Sequence, residues 1–201
     1  SLPAIKIPSS VNKVGSGAFE ECFSLAQVNI FNINAISIYM FDQCEKLTQI
    51  TIPSSVTSIL YCAFSYCKSL EQVIIPSSVT EIGNKAFEGC LSLTRIDIPS
   101  SVKEIGSLCF KECTALIQIE IPPSVKMIGE STFYNCESLI QVKIPNSVTC
   151  IRSYAFYGCT SLTKLKIPPS LTSIGYNALL DCSSLTHLSV PSLLNISKSG
   201  I

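Results

Sequence analysis

The chain has 201 residues, no net formal charge, and a composition that is 47% hydrophobic and only 14% charged. That length supports one domain with a sizeable core. The charge balance excludes the basic footprint of a nucleic-acid binder and electrostatic docking on an anionic membrane, and no apolar run approaches the roughly 20 residues of a membrane helix.

The first element, in "SLPAIKIPSS", is a strand over "LPAIKIP". The segment carries no initiator Met, basic n-region or apolar h-region. It is an ordinary repeat strand without a polar cap, so the expectation is a single domain over 1–201 that is a piece of a longer protein or a processed form. An uncapped strand edge is a template for pairing. End-to-end self-association is therefore expected at this N-terminal edge.

From here the chain repeats. Cysteines stand at 22, 44, 67, 90, 113, 136, 159 and 182, spaced 22 once and then 23 six times. An Ile-Pro or Val-Pro dipeptide keeps phase with them, except in the second unit, where Phe31 fills the proline slot and "FNINAISIYMF" absorbs a one-residue deletion. Self-similarity at such a period is the mark of a solenoid, in which each unit needs its neighbours to bury its apolar face.

Within a unit, "LTQITIP" alternates with period two, Ile50 and Ile52 on one face and Gln49 and Thr51 on the other, and proline ends the strand. "SSV" is a polar turn with an apolar plug. Gly83, Gly106, Gly129 and Gly175 follow, where a positive φ is expected. "AFxxC" suits one short helical or 3₁₀ turn with Phe and Cys inward. Stacked in register, the units build ladders: Leu25 to Leu185 after Leu2, and Phe19 to Phe156 ending in Leu179. Successive strands, about 4.8 Å apart, form one parallel sheet.

The motif LxxIxIPxxVxxIGxxAFxxC resembles the leucine-rich repeat, in the subclass of BspA-like surface proteins of bacteria and protists, over nearly the whole chain. Pro-Ser-Ser-Val replaces the asparagine that other leucine-rich repeats carry after the strand. The resemblance implies a leucine-rich repeat solenoid of about eight to nine coils. Its parallel β-sheet lines the concave face, with short helical, 3₁₀ or extended segments on the convex face. It implies a non-catalytic recognition or adhesion module at the cell surface or outside the cell, with an intracellular, cytoplasmic scaffold as the alternative.

The cysteines divide into a ladder of eight and three others. Equivalent residues in adjacent coils are within disulfide range, but their Cβ vectors point the same way, so a ladder of buried free thiols is expected rather than cross-links. No Cys-x-x-Cys occurs and ligands strung along a solenoid do not converge on a tetrahedral metal. Cys109 fills an alanine slot and reads as core. Cys62 and Cys150 stand at variable slots and are expected to be exposed.

Little catalytic chemistry is visible. The one histidine, His187, falls on a strand's outward face with no carboxylate at an adjacent slot. Asp97 and Glu120 occupy equivalent slots in neighbouring coils, a spacing compatible with a retaining glycosidase pair, but that reading needs a deep cleft. A cofactor motif is absent.

The outward strand slots are the candidate site. One column runs Ala4, Gln27, Gln49, Gln72, Arg95, Gln118, Gln141, Lys164, His187, and the other Lys6, Asn29, Thr51, Ile74, Asp97, Glu120, Lys143, Lys166, Ser189. These positions vary while the inward ones repeat, which suits a scaffold that presents side chains to a protein or glycan ligand. Gln49, Gln72, Arg95, Asp97, Gln118, Glu120, Gln141, Lys143, Lys164 and Lys166 are the expected contacts. Asp97 and Glu120 are expected to make an acidic spot, and Lys143, Lys164 and Lys166 a basic patch that orients the partner. The last unit turns polar in "NISKS", where Asn195 heads a glycosylation sequon.

Overall fold

The computed structural model describes residues 3–189. Fifteen short strands, numbered along the chain, fall into two columns. The broad column holds the three-residue strands β1 (Ala4–Lys6), β2 (Gln27–Asn29), β4 (Gln49–Thr51), β6 (Gln72–Ile74), β9 (Gln118–Glu120), β11 (Gln141–Lys143), β13 (Lys164–Lys166) and β15 (His187–Ser189). The second holds two-residue strands, β3 (Ala35–Ile36), β5 (Ser58–Ile59), β7 (Glu81–Ile82), β8 (Glu104–Ile105), β10 (Met127–Ile128), β12 (Cys150–Ile151) and β14 (Ser173–Ile174). All pairings are parallel and in register with the repeat, as in Gln118↔Gln141 and Ile59↔Ile82.

The broad sheet is not continuous. Its hydrogen-bonded blocks are β1-β2, β4-β6 and β9-β11-β13-β15, and the intervening coil joins only through the single bridge Arg95↔Gln118. The strand middles are buried and their flanks exposed in β2, β4, β6, β9, β11 and β13. The expected alternation therefore holds.

Behind the strands lies one core. Leu25, Leu47, Leu70, Leu93, Leu116, Leu139 and Leu162 are fully shielded. Phe41, Phe64, Phe87, Phe110, Phe133 and Phe156 stack ring on ring, with neighbouring centroids 5.3–5.7 Å apart and planes within 10°. Dispersion and apolar burial act together in such a stack.

The side opposite the broad sheet is a ladder of turns, and no helix occurs among the described residues. In one coil Ala63, Ser65 and Cys67 donate their N–H to the carbonyl three residues back. Cys62, Phe64 and Tyr66 donate theirs to Asn84, Ala86 and Glu88 of the next coil, at 2.6–3.1 Å. Every second amide thus closes a local 3₁₀-like turn and the others staple coil to coil, leaving no orphan donors in the turn.

That alternation demands a left-handed backbone at two positions per coil. They are occupied by residues such as Tyr39, Cys62, Lys85 and Leu108, and again by Gln43, Tyr66, Glu112 and Asn135. The glycines of the Ile-Gly pairs do not serve this purpose, which corrects the expectation of a positive φ there. Their reason is proximity: a Cβ at Gly106 would fall 2.3 Å from the Asn84 amide nitrogen, and one at Gly83 2.9 Å from the Leu60 carbonyl carbon.

Coils are also tied by side chains. Ser55, Ser78, Ser101, Ser124, Ser147 and Ser170 each donate a hydroxyl to a carbonyl of the preceding coil. Ladder cysteines from Cys44 to Cys182 donate their thiols to the Phe carbonyl of the coil before, at 3.1–3.2 Å.

All eleven cysteines are free thiols. Cys109 is core, as expected, and Cys150 is half-buried rather than exposed. Cys62 departs from expectation, being only 5% exposed. Larger occupants of its slot, such as Lys85 and Tyr154, reach past the turn, whereas the short thiol stays beneath Tyr61 among Asp42, Lys85 and Glu88. Leu2, the polar last unit and Asn195 lie outside the described residues.

Candidate functional site

The pleat sends alternate side chains to opposite faces, so the first and third residue of each broad strand stand outward. All ten expected contacts are exposed there: Gln49 on β4, Gln72 on β6, Gln118 and Glu120 on β9, Gln141 and Lys143 on β11, Lys164 and Lys166 on β13, and Arg95 and Asp97 on the bridged coil between. Six of them, Arg95, Asp97, Gln118, Glu120, Gln141 and Lys143, line one open groove of about 370 Å³.

The charges inside that groove are not disposed as the sequence suggested. Arg95 Nη2 and Nε both reach Asp97 Oδ1, at 2.9 and 3.0 Å. Lys143 Nζ donates to Glu120 Oε2 at 2.9 Å. The expected acidic spot is therefore two neutralised ion pairs, because Arg95 and Asp97 share one face two residues apart and Glu120 stands in register with Lys143. The basic side survives in part, as Lys164 and Lys166 enter none of the described ion pairs.

A polar, uncharged stripe of glutamines flanks these pairs, with Gln49 opposite Gln72 and Gln118 opposite Gln141. One apolar residue stands in the neighbouring column. Ile74 is 52% exposed beside the break in the sheet, in a depression it shares with Gln72, Thr94, Arg95 and Asp97. The sequence carried this signal, an isoleucine in an otherwise polar column, but Ile74 was not counted among the expected contacts.

The carboxylates Asp97 and Glu120 stand on an open face, each holding a cation, without the enclosed cleft a glycosidase pair requires. His187 is exposed, its Nδ1 2.9 Å from Thr186 Oγ1, and its register neighbour is Lys164 rather than a carboxylate. Among the described residues, no group of three or more His, Cys, Asp or Glu could hold a metal ion, and no helix is long and apolar enough to cross a membrane.

Comparison with known proteins agrees with this architecture. Residues 1–94 and 80–200 match the family model described as BspA type leucine rich repeat region, in six copies. A leucine-rich repeat protein from Bacteroides ovatus ATCC 8483 is 30% identical with a TM-score of 0.78, over 96% of this chain and 56% of that one. The T. pallidum leucine rich repeat protein is 33% identical with a TM-score of 0.76, over 80% of this chain and 78% of its own. One from Eubacterium ventriosum ATCC 27560, at 22% identity and a TM-score of 0.60 over 98% of this chain and 68% of that one, shares the fold alone. No curated protein matches. The chain thus spans little more than half the length of the Bacteroides protein.

Proposed function

The chain belongs to the BspA-type leucine-rich repeat family, and we propose that its broad strand face binds a protein partner, as a non-catalytic recognition and adhesion module at the cell surface or outside the cell. The matched family is a repeat scaffold of the protein-interaction kind, not an enzyme family. The observation that carries the reading is the groove on the strand face, where six outward side chains from three successive coils converge over a core that repeats from coil to coil.

The chemistry of that groove suits a polypeptide surface. Two side-chain amides, Gln118 and Gln141, both donate and accept, and two preset ion pairs offer charges of both signs without net charge. Lys164 and Lys166 add a positive flank that favours an acidic margin on the partner. Ile74 supplies an exposed apolar anchor in the adjoining depression, which shares Arg95 and Asp97 with the groove.

The test is a parallel screen of the wild-type chain and the variant Gln118→Ala/Glu120→Ala/Gln141→Ala/Lys143→Ala against arrayed proteins and glycans. The variant removes only exposed atoms, so its circular dichroism and melting should match the parent. Protein ligands bound by the parent and lost by the variant support the strand face. Ligands retained in full by the variant would remove that face from recognition, and glycan ligands alone would remove the protein partner.

A further inference from the structure

All seven tyrosines of the chain, Tyr39, Tyr61, Tyr66, Tyr134, Tyr154, Tyr157 and Tyr176, lie on the turn ladder, and none on the broad strands. None is buried. Tyrosine carries a large rigid apolar surface and a polar tip at low entropic cost, which is why binding surfaces concentrate it. The turn ladder has no structural demand for it, since Phe, Ala and Cys already fill the inward slots.

One group of these rings surrounds a depression of about 530 Å³ on the side of the molecule away from the strand face. Tyr39 and Tyr61 meet edge to face, centroids 5.3 Å apart, and Tyr66 lines the same hollow. Asp42 is part of its lining, only 7% exposed, and its Oδ1 has no hydrogen-bond partner. The other charges around it are satisfied. Glu45 holds Lys68 at 2.7 Å, and Glu88 holds Lys111 at 2.9 Å and Lys85 at 3.4 Å. Asp42 is thus the one carboxylate of the hollow left without a cation or a donor.

A shielded, unpartnered carboxylate costs more than an exposed one and gains most from a charged donor. Aromatic faces beside it add attraction for the same kind of group. A metal ion does not fit, because among the described residues no group of three His, Cys, Asp or Glu could hold one, and the hollow's other carboxylates, Glu45 and Glu88, already hold lysines. A compact organic cation does.

We propose that this hollow is a second binding site, independent of the strand face, which takes the protonated amine of a lysine side chain on a protein partner. The ammonium group donates to Asp42, and its alkyl stem lies against Tyr39 and Tyr61. The compact ammonium, with three rotatable donors, suits a single carboxylate at the floor better than the planar fork of a guanidinium.

The experiment is an NMR titration of the ¹⁵N-labelled chain with N-acetyl-lysine methylamide, and with the norleucine analogue, which keeps the stem and lacks the charge. The lysine probe should shift the amides of Tyr39, Asp42, Tyr61 and Cys62 and leave Tyr134 and Tyr157 in place. Asp42→Asn keeps the shape and removes the charge, and should weaken binding at least about tenfold, the scale of one hydrogen bond to a charged group. Tyr61→Phe should bind nearly as the parent does, and Tyr61→Leu clearly less. The quadruple strand-face variant should bind the probe unchanged. Equal shifts from the norleucine analogue, or unaltered binding by Asp42→Asn, would overturn the site. Tighter binding of 1,5-diaminopentane than of the lysine probe would overturn the protein side chain as its ligand.

Discussion

Raising the pH should unfold this protein abruptly, and its thiols set the point. Burial pushes Cys67, Cys90, Cys109, Cys113, Cys136 and Cys159 well above the ordinary thiol range and pushes Cys44 up to about 12. In an unfolded chain a thiol ionises near 8.5. Below that pH both states keep the proton and these groups leave stability unaffected. Above it only the unfolded chain releases protons, so stability falls as pH rises, until the folded thiols themselves titrate.

Each such group removes about 1.4 kcal/mol per pH unit. Seven acting together remove on the order of 10 kcal/mol between pH 9 and 10, comparable with the roughly 5–15 kcal/mol that holds a domain folded. The expected transition therefore lies between about pH 9 and 10 and is steep, with several protons released together. Far-ultraviolet circular dichroism against pH, in reductant and without oxygen, follows it. The double variant Cys90→Ala/Cys113→Ala should shed about two of those protons and show a visibly shallower curve. A spectrum unchanged through pH 11, or a transition releasing one or two protons, would refute the thiol ladder as its cause.

Alkylation of the native chain at pH 8 should label the half-buried Cys22, Cys150 and Cys182 ahead of the others, and fast labelling of Cys67 or Cys113 would contradict the packing. Gly106→Ala should cost about 3 kcal/mol or more in urea unfolding, since its Cβ would meet the backbone of Asn84, whereas Gly15→Ala, with nothing within 4 Å, should cost almost nothing. Phe110→Ala should cost about 3–5 kcal/mol, because it empties one rung of a stack that is shielded above and below.

Much of this was written in the repeat itself. A side chain that faces inward in one coil faces inward in all, so Leu70, Phe87 and Cys113 announce their burial by recurring in phase. The left-handed turn positions did not announce themselves, because they hold Tyr39, Lys85 and Leu108 rather than glycine. The coil-to-coil amide staples hold that backbone at a strain of the order of 1 kcal/mol or more each. The Ile-Gly glycines misled for the complementary reason: small size answers to a neighbouring backbone as well as to φ, and one chain's sequence does not separate the two. The second strand column escaped because a two-residue strand with one buried isoleucine, such as β7, is too short to alternate. The pairing of Glu120 with Lys143 was legible in principle, as they are equivalent residues one coil apart.

The way the coils are joined explains how both outer faces are left free to specialise. Neighbouring coils are bonded by alternate amides of the turn ladder and, along most of the solenoid, by a serine hydroxyl and by strand pairing in at least one of the two columns, and they bury Leu, Phe and Cys besides. None of these contacts uses an outward side chain. The ion pairs Arg95–Asp97 and Glu120–Lys143 are exposed and therefore contribute little to folding, about 0–1 kcal/mol each. Their effect is to hold four charged groups in place before a partner arrives, at small cost when a partner displaces them. Glutamines, ion pairs and Ile74 on one side, and tyrosines around Asp42 on the other, can thus vary from coil to coil while the interior repeats.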